Sequence, residues 1–587
     1  MQAKPRPHRG RQHREYPGMA PVEAHKIRLE DLLIEHQLIS QEQLKTSLEI
    51  QKRSGRKLER VLIEKGYISE EDFLGFLALQ LNIQYIDLKG REIKPDIVKL
   101  IPEIQARRYH VIALEADAEG ILLGMADPTN IFAYDEISAI VQRPLKLAAV
   151  KEADLMKVID TVYRRSSEIS GLAAKLKLQM SAAEKLAQPQ AATEHVVDAP
   201  VMKLLQTMFE DAIQINASDI HIEPGHSELL IRFRVDGVLR IETTADRRIA
   251  SALLSRLKLM AHLDISERRL PQDGRFSMQV HDKHIDVRMS TMPLETGEAV
   301  VLRLLNQSAG LLNLDQVGMP ETMLVRVRQV MRSPHGIILV TGPTGSGKTT
   351  TIYAMLKELN SPAVKIITAE DPVEYRLPGI SQVQVNPKVD LSFSRILRAV
   401  LRHDPDIVVV GEMRDAETVQ IGLRAAITGH FVLTTLHTND AISSVLRLVD
   451  MEAEPYLIAA AVRGILAQRL VRRICDNCAA PHELEPNVRA FLKKALAETE
   501  ADAAFKKGRG CAYCNQTGYL GRIGVYEYLA MTPELAGLLH RGEVLPFAQA
   551  AAQQPGFQSL KQSALQLAVQ GLTSLDEVMR VSFSVED

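Results

Sequence analysis

Hydrophobic and polar residues change their spacing several times along this chain, and the changes divide it into segments. Residues 27–88 carry one pattern twice, as IRLEDLLIEHQLISQEQLKTSLEIQ from Ile27 and RKLERVLIEKGYISEEDFLGFLALQ from Arg56. In each copy an apolar stripe at helical spacing is followed by a serine, Ser40 or Ser69, that can cap a second helix. The repeat predicts a small helical module made of two similar halves.

Two α/β segments follow in the pattern. Residues 89–165 alternate short apolar runs with turns and predict a small α/β domain, and residues 166–198 are rich in Ala, Gln and Ser, which is typical of a linker. Residues 199–305 contain the strand-like runs IHIEP, LLIRFRV and VLRIE, with Asp236–Gly237 as a hairpin turn. They predict a second α/β domain, and a short linker is expected over 306–318.

The remaining residues contain the largest predicted domain. Over residues 319–470 apolar strands alternate with helices, which predicts an α/β sheet core. Residues 471–524 hold all the cysteines, and residues 525–587 have helical spacing with Ser574 as a cap. The basic, proline-containing residues 1–26 lack the apolar stretch of a secretory signal and are predicted to be disordered. The expected fold class is therefore α/β, in several domains.

Composition adds few constraints. The chain has 587 residues, of which 46% are hydrophobic and 25% charged, with a net charge of −2. This balance gives no reason to expect nucleic acid as a partner, and no apolar run approaches the ~20 residues that span a bilayer. The four cysteines all lie in C-x-x-C pairs, which favours a metal and a reducing compartment over disulfides. We therefore expect a cytoplasmic protein.

The clearest chemical pattern lies at Gly336–Leu359, GIILVTGPTGSGKTTTIYAMLKEL. It places G-x-x-x-x-G-K-[ST] between a strand and a helix, as a phosphate-binding loop requires. Lys348 would reach the β- and γ-phosphates, and the Thr349 hydroxyl would bind Mg²⁺. The residues expected to bind ATP are Gly342, Pro343, Thr344, Gly345, Ser346, Gly347, Lys348, Thr349 and Thr350.

Polar residues also stand where later strands of this domain end, in ITAEDPVEY, DIVVVGEMRD and FVLTTLHTND. Carboxylates at such positions can orient water, accept its proton or hold Mg²⁺ through water. Helix capping is the alternative role for an acidic residue just past a strand. The candidate catalytic residues here are Glu370, Glu374, Glu412 and His437, together with Lys348.

Arginines recur on the strands of residues 199–305. Any one of them is expected to be solvated or paired with a carboxylate. Arginines that face a nucleotide on a neighbouring subunit would instead stabilise the charge of the transferring phosphoryl group. The candidates for this role are Arg234, Arg275 and Arg288.

The cysteines form two pairs that can close a metal site. Cys475, Cys478, Cys511 and Cys514 supply four thiolates, which suits a tetrahedral zinc ion. Four protein ligands leave no open position, so the zinc is expected to be structural. A thioredoxin-like redox pair is the alternative, and it is disfavoured because neither pair opens a helix after a strand.

Taken together, several blocks resemble one family, the type II secretion and type IV pilus assembly ATPases. They are GPTGSGKTT, ITAEDPVE, DPDIVVVGEMRD, AITGHFVLTTLHTND, ASDIHIEP, RFRVDG, LPQDGRF, GYLGRIGVYE and the paired C-x-x-C. The resemblance implies a PAS-like domain before a RecA-like motor domain, and hydrolysis of ATP to ADP and phosphate. It places Glu412 in the Walker B motif, Glu370 and Glu374 in the Asp box, and His437 in the His box.

The resemblance also implies partners. It implies a homohexamer, bound peripherally to the inner membrane through a platform protein and associated cytoplasmic assembly proteins. Such a motor drives a type IV pilus, which could be of the MSHA type, or a type II secretion pseudopilus. A pilus-retraction motor is an alternative; those relatives typically lack the long N-terminal extension and the cysteine module that this chain has.

The N-terminal repeat resembles the module of MSHA-type pilus ATPases that binds cyclic di-GMP. The matching residues are Arg28, Leu29, Leu32 and Leu33. Glu30 and Glu59 replace glycines of that pattern, and both changes oppose the approach of a dianion to the backbone. A cyclic di-GMP site and a plain helical docking module are both open interpretations. A dinucleotide-sensing scaffold without motor activity is a further alternative, and Lys348, Thr349 and Glu412 argue against it.

Overall fold

A computed structural model of the chain describes residues 33–34, 36, 38–54, 58–89, 91, 94–163, 166–185, 191–280, 283–306, 312–484 and 504–586. The tail predicted over residues 1–26 lies outside these residues, as do Arg28, Leu29, Glu30 and Leu32. None of the described helices is both long and apolar enough to cross a bilayer.

The N-terminal module consists of helices, as predicted. They are α1 (Gln41–Ser54), α2 (Leu58–Glu64) and α3 (Glu70–Gln80). Both predicted caps are confirmed: Ser40 Oγ accepts the backbone N–H of Gln43 at 3.2 Å, and Ser69 Oγ accepts that of Asp72 at 3.0 Å. The apolar faces pack together around Leu33 and form a core of their own.

The first α/β domain is a four-stranded sheet with helices packed against it. Its elements are β1 (Gln84–Tyr85), α4 (Pro95–Val98), α5 (Glu103–Tyr109), β2 (Val111–Ala116), β3 (Ile121–Met125), α6 (Ile131–Val141), β4 (Leu145–Ala149) and α7 (Glu152–Val162). The strand order is β1-β4-β3-β2. Its apolar core extends to the cysteine module described below.

The predicted linker over 166–198 is helical in its described residues. Helices α8 (Ser166–Lys185) and α9 (Ala191–Gln214) occupy this part of the chain. Ile169, Ala173 and Leu176 are buried in the core of the second α/β domain. These residues have helical spacing, but they lie within an Ala-rich sequence. The composition of that sequence, taken alone, therefore predicted a linker. The start of this segment therefore belongs to the second domain.

The second α/β domain is built on an antiparallel sheet of six strands. Its elements are β5 (Asp219–Pro224), β6 (Glu228–Val235), β7 (Val238–Asp246), α10 (Ala250–Met260), β8 (Gln272–Val280), β9 (Lys283–Leu294) and β10 (Gly297–Asn306). The strand order is β7-β6-β5-β10-β9-β8. Asp236 and Gly237 both have positive φ, 49° and 84°, which confirms the predicted hairpin turn.

The largest domain contains a seven-stranded sheet. Its elements to the end of the predicted core are α11 (Glu321–Met331), β11 (Gly336–Thr341), α12 (Lys348–Leu359), β12 (Ile366–Glu370), β13 (Ser381–Gln384), α13 (Phe393–Val400), β14 (Ile407–Val410), α14 (Ala416–Ile427), β15 (Phe431–Leu436), α15 (Ala441–Asp450), α16 (Pro455–Ala461) and β16 (Val462–Ile474). Helices cover both faces, so the central strands are buried along their whole length. The α/β fold class is confirmed.

The chain after this core returns to the same sheet. Its elements are β17 (Ala479–Pro481), β18 (Lys506–Gly508), β19 (Tyr519–Ala530), α17 (Pro533–His540), α18 (Val544–Ala552), α19 (Leu560–Val569) and α20 (Leu575–Glu586). The sheet order is β13-β12-β14-β15-β11-β16-β19, and β19 runs antiparallel to β16. Because β19 spans the predicted boundary at 524/525, the cysteine module is an excursion between two strands of the seven-stranded sheet. Helices α17 to α20 pack on that sheet.

Candidate functional site

The phosphate-type loop joins β11 to α12 at the centre of the sheet. Two glycines are required there by sterics and by backbone conformation. Gly342 has φ 146°, and a Cβ on it would lie 2.4 Å from the backbone O of Gln468. Gly347 has φ 89°, and a Cβ on it would lie 2.8 Å from Gln468 Nε2. The loop therefore turns tightly into the N-terminus of α12, where backbone N–H groups and the helix dipole favour an anion.

Lys348 is the first residue of α12, and its ammonium folds back over the loop. Its Nζ donates to the backbone O of Gly342 at 2.6 Å and of Pro343 at 3.1 Å. Burial lowers the pKa of Lys348 to about 8; the nearby Glu412 carboxylate opposes that shift and the cationic Arg469 adds to it. Within the described part of the chain the hydrogen bonds of the ammonium go to neutral carbonyls, so a bound phosphate would stabilise its charge.

The other predicted ATP ligands form one contiguous loop around Lys348. The exposed residues are Pro343, Thr344, Gly345, Thr349 and Thr350. Ser346 is buried, and its Oγ has no hydrogen-bond partner among the described residues. An exposed Thr349 hydroxyl beside a buried, unpaired serine hydroxyl fits the binding of Mg²⁺ and a phosphate oxygen.

Glu412 lies two residues after Val410, the last residue of β14, at the sheet edge that also carries the loop. It is 9% exposed, forms an ion pair with Arg414, and its Oε2 lies 3.4 Å from His437 Nε2. Helix α14 is capped by Asp415, whose Oδ1 accepts the backbone N–H of Thr418 at 2.8 Å. The capping alternative therefore does not apply to Glu412.

His437 follows β15 and completes this cluster. Burial lowers its pKa, with the positive charge of Lys348 adding to the effect, although Glu412 opposes it. The imidazole is thus neutral around pH 7, and one nitrogen can exchange a hydrogen bond with the Glu412 carboxylate. The structure brings Lys348, Glu412 and His437 to one place from three different strand ends.

Glu370, at the end of β12, is buried and fully engaged. Its Oε1 accepts Thr368 Oγ1 at 2.5 Å and Gln382 Nε2 at 3.0 Å, and its Oε2 accepts the Tyr353 hydroxyl. These bonds tie α12 to the edge strands of the sheet. They indicate that Glu370 positions α12; a catalytic role for it stays a prediction.

Arg288 and Glu374 connect the second α/β domain to the motor domain. Arg288 Nη2 lies 2.9 Å from Glu374 Oε2 and 3.3 Å from the backbone O of Val373. The predicted finger arginine and the predicted acidic residue of the Asp box therefore contact each other within one chain.

The three candidate arginines belong to a single row across the six-stranded sheet. The register pairs Arg234 with Asp219, Asp219 with Arg303, Arg303 with Arg288, and Arg288 with Arg275. Residues paired in this way lie side by side on one face of the sheet. Asp219 is buried, and its negative charge offsets the positive charges of its two neighbours. Its Oδ2 lies 3.4 Å from Arg234 Nε, and its Oδ1 lies 3.0 Å from Arg303 Nε. Arg275 is exposed at the outer end of the row.

Two polar residues on β16 were missed by sequence reasoning. Gln468 Oε1 accepts Thr351 Oγ1 at 2.8 Å and packs behind Gly347. Arg469 is 5% exposed and donates from Nη2 to Asn439, in the loop after His437. The available signal was their position, since adjacent polar residues interrupt the otherwise apolar run GILAQRLV.

The four cysteines converge on one point between β16 and β19. Their Sγ atoms all lie within 4.8 Å of one another. The separations are 3.8 Å for Cys475–Cys511, 3.8 Å for Cys478–Cys514 and 3.7 Å for Cys511–Cys514. Zinc–sulfur bonds of ~2.3 Å in a tetrahedron require sulfur atoms ~3.8 Å apart. The thiols are unbridged, and their geometry fits zinc.

The cysteine module is packed on the first α/β domain. Cys475, Tyr513 and Cys514 join that domain's apolar core. The Tyr513 hydroxyl is buried and donates to the backbone O of Asp154, on α7, at 3.4 Å. The module therefore connects the motor sheet to the N-terminal part of the chain.

Comparisons with known proteins match this layout. A family model described as Type II/IV secretion system protein matches residues 194–580, and the MshEN domain model matches residues 81–169. The type IV pilus assembly ATPase PilB of Myxococcus xanthus is 38% identical over 559 residues, which cover 94% of this chain and 98% of that protein. The type II secretion system ATPase E of Vibrio cholerae is 44% identical over 462 residues, covering 78% and 91% respectively.

A solved structure is also similar to this chain. It is the crystal structure of the pilus retraction motor PilT with bound ADP. That chain is 27% identical, the match covers 64% of this chain and 96% of PilT, and the TM-score is 0.44.

Proposed function

The chain belongs to the type II/IV secretion system family of ATPases, and we propose that it is the motor that powers assembly of a type IV pilus or a type II secretion pseudopilus. One observation carries this proposal. Lys348, Glu412 and His437 meet at a single edge of the motor sheet, beside a loop shaped for phosphates. Such a site can bind ATP and direct water at its γ-phosphate.

Each residue of the site has a proposed part in the reaction. Backbone N–H groups of the loop and the Lys348 ammonium bind the β- and γ-phosphates. Glu412 orients a water molecule and takes its proton as the water oxygen attacks the γ-phosphorus; the bond to the bridging oxygen breaks and ADP leaves. His437 holds the Glu412 carboxylate in place. Mg²⁺, bound through Thr349, would neutralise charge on the phosphate oxygens.

The arginine row is proposed to complete the site on a neighbouring subunit. Arg288 is already engaged with Glu374, so Arg275, at the exposed end of the row, is better placed to reach outward. A guanidinium there would stabilise the charge of the transferring phosphoryl group. Arg234 is held by Asp219 and contributes less directly.

We propose a homohexamer that works in the cytoplasm and attaches to the inner membrane through a platform protein and its associated assembly proteins. The two relatives that cover 94% and 78% of this chain are named for pilus assembly and for secretion, which supports an assembly motor over a retraction motor. A non-motor scaffold is disfavoured because the residues needed for hydrolysis are brought together.

The cysteine cluster is proposed to hold a structural zinc ion. Replacing Cys475 with serine should remove the zinc and destabilise the module, because metal binding contributes folding energy. Since Tyr513 packs on α7, the loss should also speed hydrogen exchange in Glu152–Val162. Metal analysis of the purified chain should show about one zinc in the native protein and almost none in the variant.

The neighbouring exposed residue gives a matched control for that variant. Asp476 is 76% exposed in its side chain and contacts Arg473, so Asp476→Ser should keep zinc and slow exchange. Full zinc content in Cys475→Ser would contradict the four-ligand site.

Cyclic di-GMP binding is the alternative interpretation of the N-terminal part. The MshEN family model matches residues 81–169, which do not include the repeat residues predicted to contact the dinucleotide. Of the four predicted contact residues, only Leu33 is described, and it is fully buried in the helical core. With Glu59 in place of a glycine, we expect calorimetric titration of the full chain with cyclic di-GMP to release no heat at micromolar concentrations. Heat that saturates at a fixed ratio of dinucleotide to chain would show that the module binds it.

A further inference from the structure

Arg469 lies in the interior of the motor domain, on the strand next to the one that carries the phosphate loop. It is 5% exposed and is flanked by the buried Ala467 and Val471 on the same face of β16. Burial lowers the pKa of Arg469, although the guanidinium stays charged at any physiological pH. The protein therefore keeps a positive charge inside an apolar core.

This guanidinium is only partly satisfied. Its Nη2 donates to the backbone O and to Oδ1 of Asn439, both at 3.1 Å. Its Nε and Nη1 are buried and find no acceptor among the described residues. Asn439, a neutral residue, is thus its hydrogen-bonding partner within the described part of the chain.

The two carboxylates that act electrostatically on Arg469 are engaged elsewhere. Glu527 accepts the backbone N–H of Ala441 at 2.8 Å and of Leu560 at 3.0 Å. Asp440 caps α15 by accepting the backbone N–H of Ser443 at 2.6 Å. Neither approaches Arg469 closely enough to form an ion pair in the described structure. A buried charge that lacks a paired carboxylate opposes folding, because the lost hydration is not replaced.

The contact with Asn439 links this charge to the catalytic cluster. Asn439 belongs to the loop 437–440, which leads from β15 into α15. His437, at its start, contacts Glu412, and Thr438 Oγ1 lies 2.5 Å from Thr341 Oγ1 at the end of β11. The loop is therefore held from two sides, by the strand that carries the phosphate loop and by Arg469.

We propose that Arg469 is a positioning residue for ATP hydrolysis, which holds the loop 437–440 through Asn439 so that His437 stays on Glu412, although its burial lowers the stability of the fold. The inference rests on the function proposed for Glu412 and His437. It explains why a poorly compensated arginine occupies a position where an apolar residue would fold more favourably.

The test is Arg469→Met, which keeps an unbranched apolar side chain in place of the arginine methylenes and removes the guanidinium with its charge. We expect kcat for ATP to fall on the order of 10- to 100-fold, as for a misplaced catalytic group. KM for ATP should change by less than ~3-fold, since Arg469 does not touch the nucleotide in this account. The melting temperature should stay the same or rise, because an uncompensated buried charge has been removed.

Four further variants separate the explanations. Arg469→Lys keeps a charged donor and should recover part of kcat. Asn439→Ala should lower kcat as Arg469→Met does, and the double variant should be no slower than the slower single one, because both act through one contact. Arg463→Met, at the other end of β16, is the matched control and should leave kcat unchanged.

Two results would overturn the inference. A melting temperature that drops in Arg469→Met with kcat retained would make the residue merely structural. A KM that rises more than ~10-fold with kcat retained would place Arg469 on the phosphates instead. If the native chain itself does not hydrolyse ATP, the proposed function fails, which is distinguishable from either result.

Discussion

Replacing Lys348 with alanine should lower kcat/KM for ATP by at least about 10²–10³-fold, the effect typical of losing one group that stabilises developing charge. The ammonium rests on the carbonyl groups of Gly342 and Pro343, within the loop itself. It is the one cation among the predicted ATP ligands, so no other residue of the loop can replace its charge. Phosphate release by the purified chain, followed over a range of ATP concentrations, measures the loss.

Folding should not change in the Lys348 variant. Burial disfavours the charged ammonium, as its pKa of about 8 shows, so its removal takes away no stabilising ion pair. Lys357→Ala, an exposed position on the same helix, is the matched control and should hydrolyse ATP at the native rate. Native turnover in Lys348→Ala, with an unchanged melting temperature, would show that the reaction occurs elsewhere.

The Glu412→Gln variant should bind ATP and fail to hydrolyse it, with kcat reduced about 10²–10⁴-fold, as expected when a general base is lost. The amide keeps the size of the carboxylate but cannot take a proton from water. The contact with His437 can persist, because an amide oxygen still accepts a hydrogen bond. KM for ATP should therefore change little while kcat falls.

The variant Glu417→Gln controls for the loss of a nearby carboxylate. Glu417 lies in the first turn of α14, where it pairs with Arg398 at the surface. Its change should leave kcat within ~2-fold of native, as for most exposed pairs. If Glu412→Gln and Glu417→Gln had the same kcat, Glu412 would not be the base.

The nucleotide site could be predicted largely from sequence because its signals are local. The glycines, Lys348 and Thr349 stand within eight residues, in a strand–loop–helix pattern that fixes their geometry. Glu412 and His437 each lie within two residues of the end of a buried strand, and parallel strands bring such ends to one edge of a sheet. That the two residues lie close together therefore follows from the sequence pattern. The distance of 3.4 Å between Glu412 Oε2 and His437 Nε2 is known only from the structure.

The arginine row could not have been predicted in the same way. Its members come from five strands whose order in the sheet differs from their order in the chain. The contact of Arg288 with Glu374 joins residues that are 86 positions apart and lie in different domains. The spacing of residues along the sequence does not indicate which strands pair or in which register they pair.

The predicted boundary between the cysteine module and the helical tail is wrong, because one strand crosses it. The cysteines marked a separate module, but β19 carries its last residues back into the motor sheet against β16. Arg469 was missed for a related reason, since a charged residue within an apolar strand is usually taken to lie at the surface. Only the packing of the helical tail over that face shows that it is buried.

The central claim is that hydrolysis at this site drives filament assembly. It is tested most directly by replacing the chromosomal copy with Glu412→Gln in the cell that encodes the chain, and measuring the pilin or pseudopilin sheared from the surface. We predict no assembled filament in this variant and native amounts with Glu417→Gln, at equal levels of both proteins. Filaments at the native level in Glu412→Gln, despite absent turnover in the purified variant, would contradict the account.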